Sequence, residues 1–185
     1  MNTRTTALTA LFAALAAAVG FIFVAIPNLE FITATIFIGG AVLGIRRGMI
    51  AGGMGELIFS LLNPYGMPAL PILLAQVMVM ALVGGTGGVF YRVVGGGSWG
   101  WRGYLACGAV GMVLTALFDL LTTLSFALFM FGWEWRKIAA NLLTGLSFYL
   151  FHIIINTLSF AVVVPLLLQR LESVFRSADD RKGIL

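Results

Sequence analysis

Long apolar runs alternate with short polar connections along this chain. A helix needs roughly 20 apolar residues to cross the ~30 Å hydrocarbon core of a bilayer, so runs of this length indicate membrane-spanning helices. Six spans are predicted, at Thr6–Ile26, Phe31–Ile45, Met49–Leu62, Leu70–Val93, Tyr104–Phe131 and Ile138–Leu168. The second and third are short for independent spanning, and the tight, glycine-flanked turn between them favours a helical hairpin or a partly re-entrant pair.

The apolar pattern stops near residue 170, and this defines the domain organisation. Residues 1–170 are predicted as one six-helix transmembrane domain, and residues 171–185 as a charged cytoplasmic tail. The first apolar run has the small residues and the single Arg4 that are typical of a signal peptide. However, it continues through Ile26 and is long enough to span, so we expect a retained first helix.

Composition agrees with this pattern. The 185 residues are 61% hydrophobic and only 10% charged, whereas soluble domains have about a quarter of charged residues. The predicted fold class is therefore an all-α integral membrane protein, a six-helix bundle in a lipid bilayer. The net charge of +4 does not indicate nucleic acid, because the basic residues separate apolar segments. The single Cys107 cannot form an internal disulfide and is expected to be a small packing residue.

The distribution of positive charge predicts the orientation. With the N-terminus inside, nine of the basic residues face the cytoplasm, and only Arg136 and Lys137 lie outside. Both termini are then cytoplasmic. Three connections face out: Pro27–Glu30, Asn63–Pro71 and Gly132–Lys137.

Three ionisable residues fall inside predicted spans, where charge is unfavourable and marks candidate functional sites: Glu56, Asp119 and His152. Helical spacing places a polar stripe on each of the last two spans. The stripe on the fifth span consists of Thr115, Asp119, Thr122 and Phe126. The stripe on the sixth span consists of Asn141, Gly145, Phe148, His152 and Asn156. If both face inward, they form a polar seam that meets Gln76 near the outer surface, as in small-molecule sites. The alternative is that these groups only hydrogen-bond across helices as structural links.

Motifs give little support to an enzyme. His152 and Asn156 form an H-x-x-x-N pattern that one class of intramembrane proteases also has, but the glutamate pair of that class is absent from the sequence. The G-x-S-x-G and H-E-x-x-H motifs are absent too. The glycine-rich "VGGTGGVF" and "VGGGSWG" lack the Lys-Ser/Thr of a phosphate loop and are expected to serve close packing and a turn. A small self-contained carrier or channel is a further alternative, although no persuasive inverted repeat is found.

The first helix has two faces of small residues. One consists of Ala10, Ala14 and Ala18, and the other of Ala13 and Ala17 beside Ala16 and Gly20. Small-x-x-x-small spacing lets a second helix approach closely. The approaching helix belongs either to a partner or to this chain.

Together these features resemble the S-component of energy-coupling factor (ECF) vitamin transporters. The resemblance rests on six spans in about 190 residues, the A-x-x-x-A first helix, and "IPNLEFITATIFIGGAVLGIRRG", which is similar to a P-N-x-E segment followed by spaced glycines. It extends over roughly residues 5–170. The first and third outer connections are shorter than the lids of some family members.

The resemblance implies a substrate-binding subunit in a prokaryotic cell (inner) membrane. It would capture a vitamin or related micronutrient outside, dock on a transmembrane coupling protein with two cytoplasmic ATPases, and topple to release the ligand inside. The protein would need no cofactor of its own, because the partner subunits use ATP. The coupling contact would fall on Ala13 and Ala17, with Ala10 and Ala14 on the competing face.

The family's ligand site coincides with the polar seam and the outer connections. Candidate ligand-binding residues are Asn28, Glu30, Asn63, Tyr65, Gln76, Asp119, Trp133, Asn141 and His152. Their aromatic and neutral polar groups suit a flat heterocycle or a corrin better than a polyanion, although Arg136 and Lys137 are placed to attract a carboxylate. The aromatic residues are also typical of an interfacial belt, and Glu30 is also placed to cap the second helix.

Overall fold

The computed structural model describes residues 3–94 and 100–182, with side chains as far as residue 173. This part of the chain is all-helical and contains seven helices. They are α1 (Thr3–Phe23), α2 (Ile32–Leu43), α3 (Ile45–Leu61), α4 (Leu70–Val94), α5 (Trp101–Phe131), α6 (Trp135–Thr144) and α7 (Leu146–Lys182). The predicted glycine-rich turn at 95–99 and the end of the predicted tail, 183–185, lie outside the described residues.

Four helices are long and apolar enough to cross a membrane, namely α1, α4, α5 and α7. Large apolar side chains on these helices and on α3 face outward, as expected where lipid is the solvent. These properties are consistent with a membrane protein. The helix α2 is apolar but has only 12 residues, about 18 Å at 1.5 Å per residue.

The predicted sixth span is divided into α6 and α7 at Gly145. Glycine lowers helix propensity, and a Cβ on Gly145 would overlap the Tyr149 ring. The interruption makes α6 a short separate helix that packs on α5 and α7. Asn141 and His152 therefore lie on two separate helices, α6 and α7, which is a correction to the predicted single span.

Helix α2 lies at the centre of the bundle and contacts α1, α3, α4 and α7. It forms a hairpin with α3 through Gly44, whose φ of 82° favours glycine, so the predicted hairpin is confirmed. The backbones of Gly40, Gly48 and Gly84 meet where α2, α3 and α4 cross, and a Cβ on any of them would overlap backbone atoms of a neighbouring helix. This absence of side chains is what lets three helices pack so closely.

Helices α5 and α7 pair along their length, with Gly108 against Ala161 and Gly111 against Phe160. The Phe160 ring contacts Phe37 of α2 at 5.2 Å between centroids. Cys107 is fully buried in the same core, in agreement with its expected packing role.

Consecutive helices from α1 to α5 run in alternating directions, so the bundle has two distinct ends. One end gathers the C-termini of α1, α3 and α5 and the N-termini of α2, α4 and α7. The other end carries four arginines at the start of α3, the end of α4 and the start of α5, namely Arg46, Arg47, Arg92 and Arg102.

Candidate functional site

A cavity of about 390 Å³ opens at the end of the bundle away from the arginines. Its polar lining comes from the α1–α2 connection and from α3, α4, α5 and α7: Asn28, Glu30, Glu56, Gln76, Asp119, Thr122, Thr123, Tyr149 and His152. Its apolar lining includes Phe23, Phe59, Met80, Phe118 and Phe148. A volume of this size, with a few polar groups in an apolar aromatic wall, is typical of small-molecule sites.

A chain of four polar side chains joins α5, α7 and the α1–α2 connection on one side of this cavity. Asp119 Oδ1 lies 2.8 Å from His152 Nδ1, and His152 Nε2 lies 3.0 Å from Asn156 Nδ2. Asn156 Nδ2 in turn donates to Glu30 Oε1 at 2.8 Å. The seam predicted from the stripes of Asp119 and His152 is thus present as a direct contact, and it extends to Glu30.

Glu30 is held from two directions. Its carboxylate accepts hydrogen bonds from Thr33 N at 3.0 Å and Thr33 Oγ1 at 2.6 Å, in the first turn of α2, and it also accepts the bond from Asn156. Burial alone would raise the pKa of Glu30, but the His152 ring and the Thr33 hydrogen bonds outweigh burial and hold its pKa below the ordinary value. Glu30 therefore stays a carboxylate that both caps α2 and faces the cavity.

The local backbone explains how Glu30 comes to point inward. Asn28 adopts a left-handed conformation with φ of 61°, which asparagine tolerates better than most residues. This turns the connection back over the end of the bundle, so that Asn28, Leu29 and Glu30 all line the cavity.

A second polar group lies across the cavity on α3 and α4. Ser60 Oγ donates to Glu56 Oε1 at 2.8 Å and lies 3.4 Å from Gln76 Oε1. Glu56 is buried and lines the cavity. Polar groups therefore line two sides of the cavity, and each side contains at least one carboxyl group.

Two buried oxygens of the lining residues have no hydrogen-bond partner in the described part of the chain, Asn28 Oδ1 and Asp119 Oδ2. Leaving a buried acceptor unsatisfied costs roughly 1–3 kcal/mol. A ligand that donates to these oxygens recovers that cost.

The structure brings together five of the nine ligand-binding candidates: Asn28, Glu30, Gln76, Asp119 and His152. The others lie elsewhere. Asn63 accepts a hydrogen bond from Tyr65 N at 3.0 Å and so shapes the α3–α4 connection, while Tyr65 and Trp133 are each 75% exposed. Asn141 lies on α6 and does not line this cavity.

Glu56, which the sequence marked as a candidate functional residue without assigning it to the ligand site, also lines the cavity. Sequence reasoning did not place several other lining residues in the site, among them Phe59, Thr123 and Tyr149. These lining residues could have been predicted from their helical spacing relative to the ionisable residues. Phe59 follows Glu56 by three positions, Thr123 follows Asp119 by four, and Tyr149 precedes His152 by three, so each lies on the same helix face as its ionisable neighbour.

The two alanine faces of α1 have different surroundings. Ala13 and Ala17 are each only 2% exposed, and Ala13 lies against Gly55 of α3. Ala10, Ala14 and Ala18 are exposed. The face to which the family resemblance assigned the coupling contact is thus packed inside this chain, and the competing face is the free one.

The fold and the site together define an all-helical protein, consistent with membrane insertion, that has a polar and aromatic cavity at one end. Comparison with protein-family models, curated proteins and solved structures finds no match. The cavity and its surroundings are then the features that bear on function.

Proposed function

We propose that this protein is the substrate-binding membrane subunit of an ECF-type importer and captures a vitamin or related micronutrient. The observation that carries the proposal is the cavity of about 390 Å³ whose lining converges from the α1–α2 connection and six helices. Polar groups in an aromatic wall at the end of a helix bundle suit recognition of one small molecule.

In this proposal the cavity opens to the outside of a prokaryotic cell membrane. Arg46, Arg47, Arg92 and Arg102 lie at the opposite end of the bundle, and positive charge favours the cytoplasmic side. With six crossings, both termini are then cytoplasmic. The α1–α2 connection, which carries Asn28 and Glu30, covers the cavity from outside.

ATP-driven transport would require partners, because the printed sequence contains no phosphate-binding loop. A coupling protein with two ATPases would supply the energy, and the protein itself would have no catalytic role. The exposed face of Ala10, Ala14 and Ala18 supports docking of a partner helix, because small residues let two backbones approach closely.

A self-contained carrier is the second candidate. It is favoured by the connected groups Asp119, His152, Asn156 and Glu30, since chains of ionisable side chains inside helices also serve as proton relays in carriers. In that case the cavity would be the carrier's own transport site.

The test is to purify the protein in detergent from its native host and identify any bound small molecule by mass spectrometry. The proposal predicts a micronutrient at near one-to-one stoichiometry. In liposomes without ATPases, the purified protein should bind this molecule without accumulating it. Accumulation driven by a proton gradient would instead establish the carrier, and the absence of binding to a full vitamin panel would overturn the proposal.

A further inference from the structure

We infer that the ligand of this cavity is an organic cation, a flat nitrogen compound that carries N–H donors and a positive charge. The inference rests on the proposed function and names its substrate class. It follows from the charge of the lining, from two unpartnered oxygens, and from the aromatic wall.

Acidic groups outnumber basic groups in the lining of the cavity. The cavity is lined by three carboxyl groups, Glu30, Glu56 and Asp119, together with His152, and none of its lining residues in the described chain is Lys or Arg. Three carboxyl groups beside one imidazole suit a cation better than an anion, because opposite charges attract more strongly where protein partly replaces water.

The two unpartnered oxygens favour a ligand that has hydrogen-bond donors, because oxygen atoms of this kind accept hydrogen bonds. The Asp119 side chain is only 8% exposed, and its Oδ1 faces His152, while Oδ2 is buried without a partner. Asn28 Oδ1, in the α1–α2 connection, is likewise buried without a hydrogen-bond partner among the described residues. An N–H group on a cationic ligand would satisfy Asp119 Oδ2 through a charge-assisted hydrogen bond, which is stronger than a neutral one.

The apolar wall fits the body of such a ligand. Four phenylalanine rings line the cavity, Phe23, Phe59, Phe118 and Phe148. The faces of aromatic rings attract cations and stack on flat rings. An aliphatic wall would bury the same apolar surface without favouring positive charge.

The inference is tested by calorimetric titration of the purified, detergent-solubilised protein with three probes of different charge. Thiamine serves as a cationic aromatic compound, riboflavin as a neutral one and pantothenate as an anion, and any co-purified molecule is classed by its charge at pH 7. We expect the tightest binder to be a cation.

Two variants test the role of charge directly. Asp119→Asn keeps the shape of the side chain but removes its charge, and should weaken binding of the cation at least about tenfold, the loss of one charge-assisted hydrogen bond. Glu56→Gln is the second variant, in case Asp119→Asn does not fold, and should also weaken binding. Glu134→Gln removes an exposed carboxylate that pairs with Lys137 outside the cavity, and should leave affinity unchanged.

The outcomes separate this inference from the proposed function. A neutral or anionic ligand bound tightly in the cavity would overturn the inference and leave the proposed function standing. Unchanged cation affinity in folded Asp119→Asn and Glu56→Gln would also overturn it. Binding of no small molecule at all would overturn both.

Discussion

Glu30 accepts hydrogen bonds from Thr33 of α2 and from Asn156 of α7, so one carboxylate contributes to helix capping and to the wall of the cavity. The sequence offered these two roles as alternatives. The structure shows that they are compatible, because the two oxygens of a carboxylate accept several bonds at once. Loss of stability and loss of affinity should therefore accompany each other when Glu30 is changed.

Glu30→Gln should lower the free energy of unfolding by about 1–2 kcal/mol at pH 7, because hydrogen bonds to a charged acceptor are replaced by neutral ones. The pKa of Glu30 is lowered in the fold, so its ionised form stabilises the protein above the ordinary pKa near 4.3 and that contribution is lost as pH falls below it. The stability difference between wild type and variant, followed by thermal unfolding, should stay nearly constant from pH 7 to about pH 5 and shrink as the pH falls below about 4.3.

Glu134→Gln is the matched control for this pH series. Its carboxylate is exposed and pairs with Lys137, and such surface pairs contribute about 0–1 kcal/mol. A stability difference for Glu30→Gln that stays constant as the pH falls from about 5 to about 3 would show that the charge of Glu30 has no part in the fold.

At the scale of helices, neighbouring glycines of α3 have opposite environments. A Cβ on Gly52 would overlap the Met80 carbonyl oxygen and approach Ile36 Cγ2 to 2.8 Å, whereas a Cβ on Gly53 would meet Val77 Cγ1 at an ordinary 3.6 Å. Gly52→Ala should destabilise the protein by about 1–3 kcal/mol through overpacking. Gly53→Ala should be neutral or stabilising by up to about 1 kcal/mol, because alanine favours helix.

Thermal unfolding of the two variants in the same detergent gives the comparison. Equal melting temperatures for Gly52→Ala and Gly53→Ala would mean that α3 and α4 are not in close contact at this crossing.

The alanine faces of α1 give a second prediction for helices. Ala14→Leu adds a bulky group to the exposed face, so ligand binding and melting temperature should stay unchanged, while assembly with the proposed coupling protein and the proposed transport should fail. Ala13→Leu should instead lower the melting temperature, because Ala13 is 2% exposed and packs on α3. Co-purification of the partner subunits measures assembly, and intact assembly of Ala14→Leu would exclude this face as the docking surface.

Much of the helix pattern was predictable, because apolar runs and helical spacing are local properties of sequence. The contact between Asp119 and His152 was predicted from the polar stripes on two helices. Gln76 was predicted to lie near them because it is close to the same end of its span. The link from Asn156 to Glu30 was not predictable, because it depends on the left-handed turn at Asn28. The interruption at Gly145 was also missed, since hydropathy is continuous across it and a single glycine is often tolerated inside a helix.

At the scale of the whole molecule, the proposed orientation can be tested with single cysteines in a Cys107→Ala background. Met67 is 63% exposed in the connection at the cavity end, and Trp101 is 69% exposed at the arginine end. A membrane-impermeant maleimide should label Met67→Cys in intact cells and Trp101→Cys only after permeabilisation. Labelling in the reverse order would place the cavity on the cytoplasmic side.

The unequal lengths of the helices have a consequence for the surrounding lipid. Helix α5 has 31 residues and α3 only 17, about 46 Å and 25 Å, and α3 begins with two arginines. In the proposed topology, acyl chains beside α3 must shorten or tilt, which stores elastic energy in the bilayer. Helix α1 packs on α3, and a partner that docks on α1 would displace part of this lipid. We therefore expect association with the proposed coupling protein to strengthen as the lipid chains are lengthened.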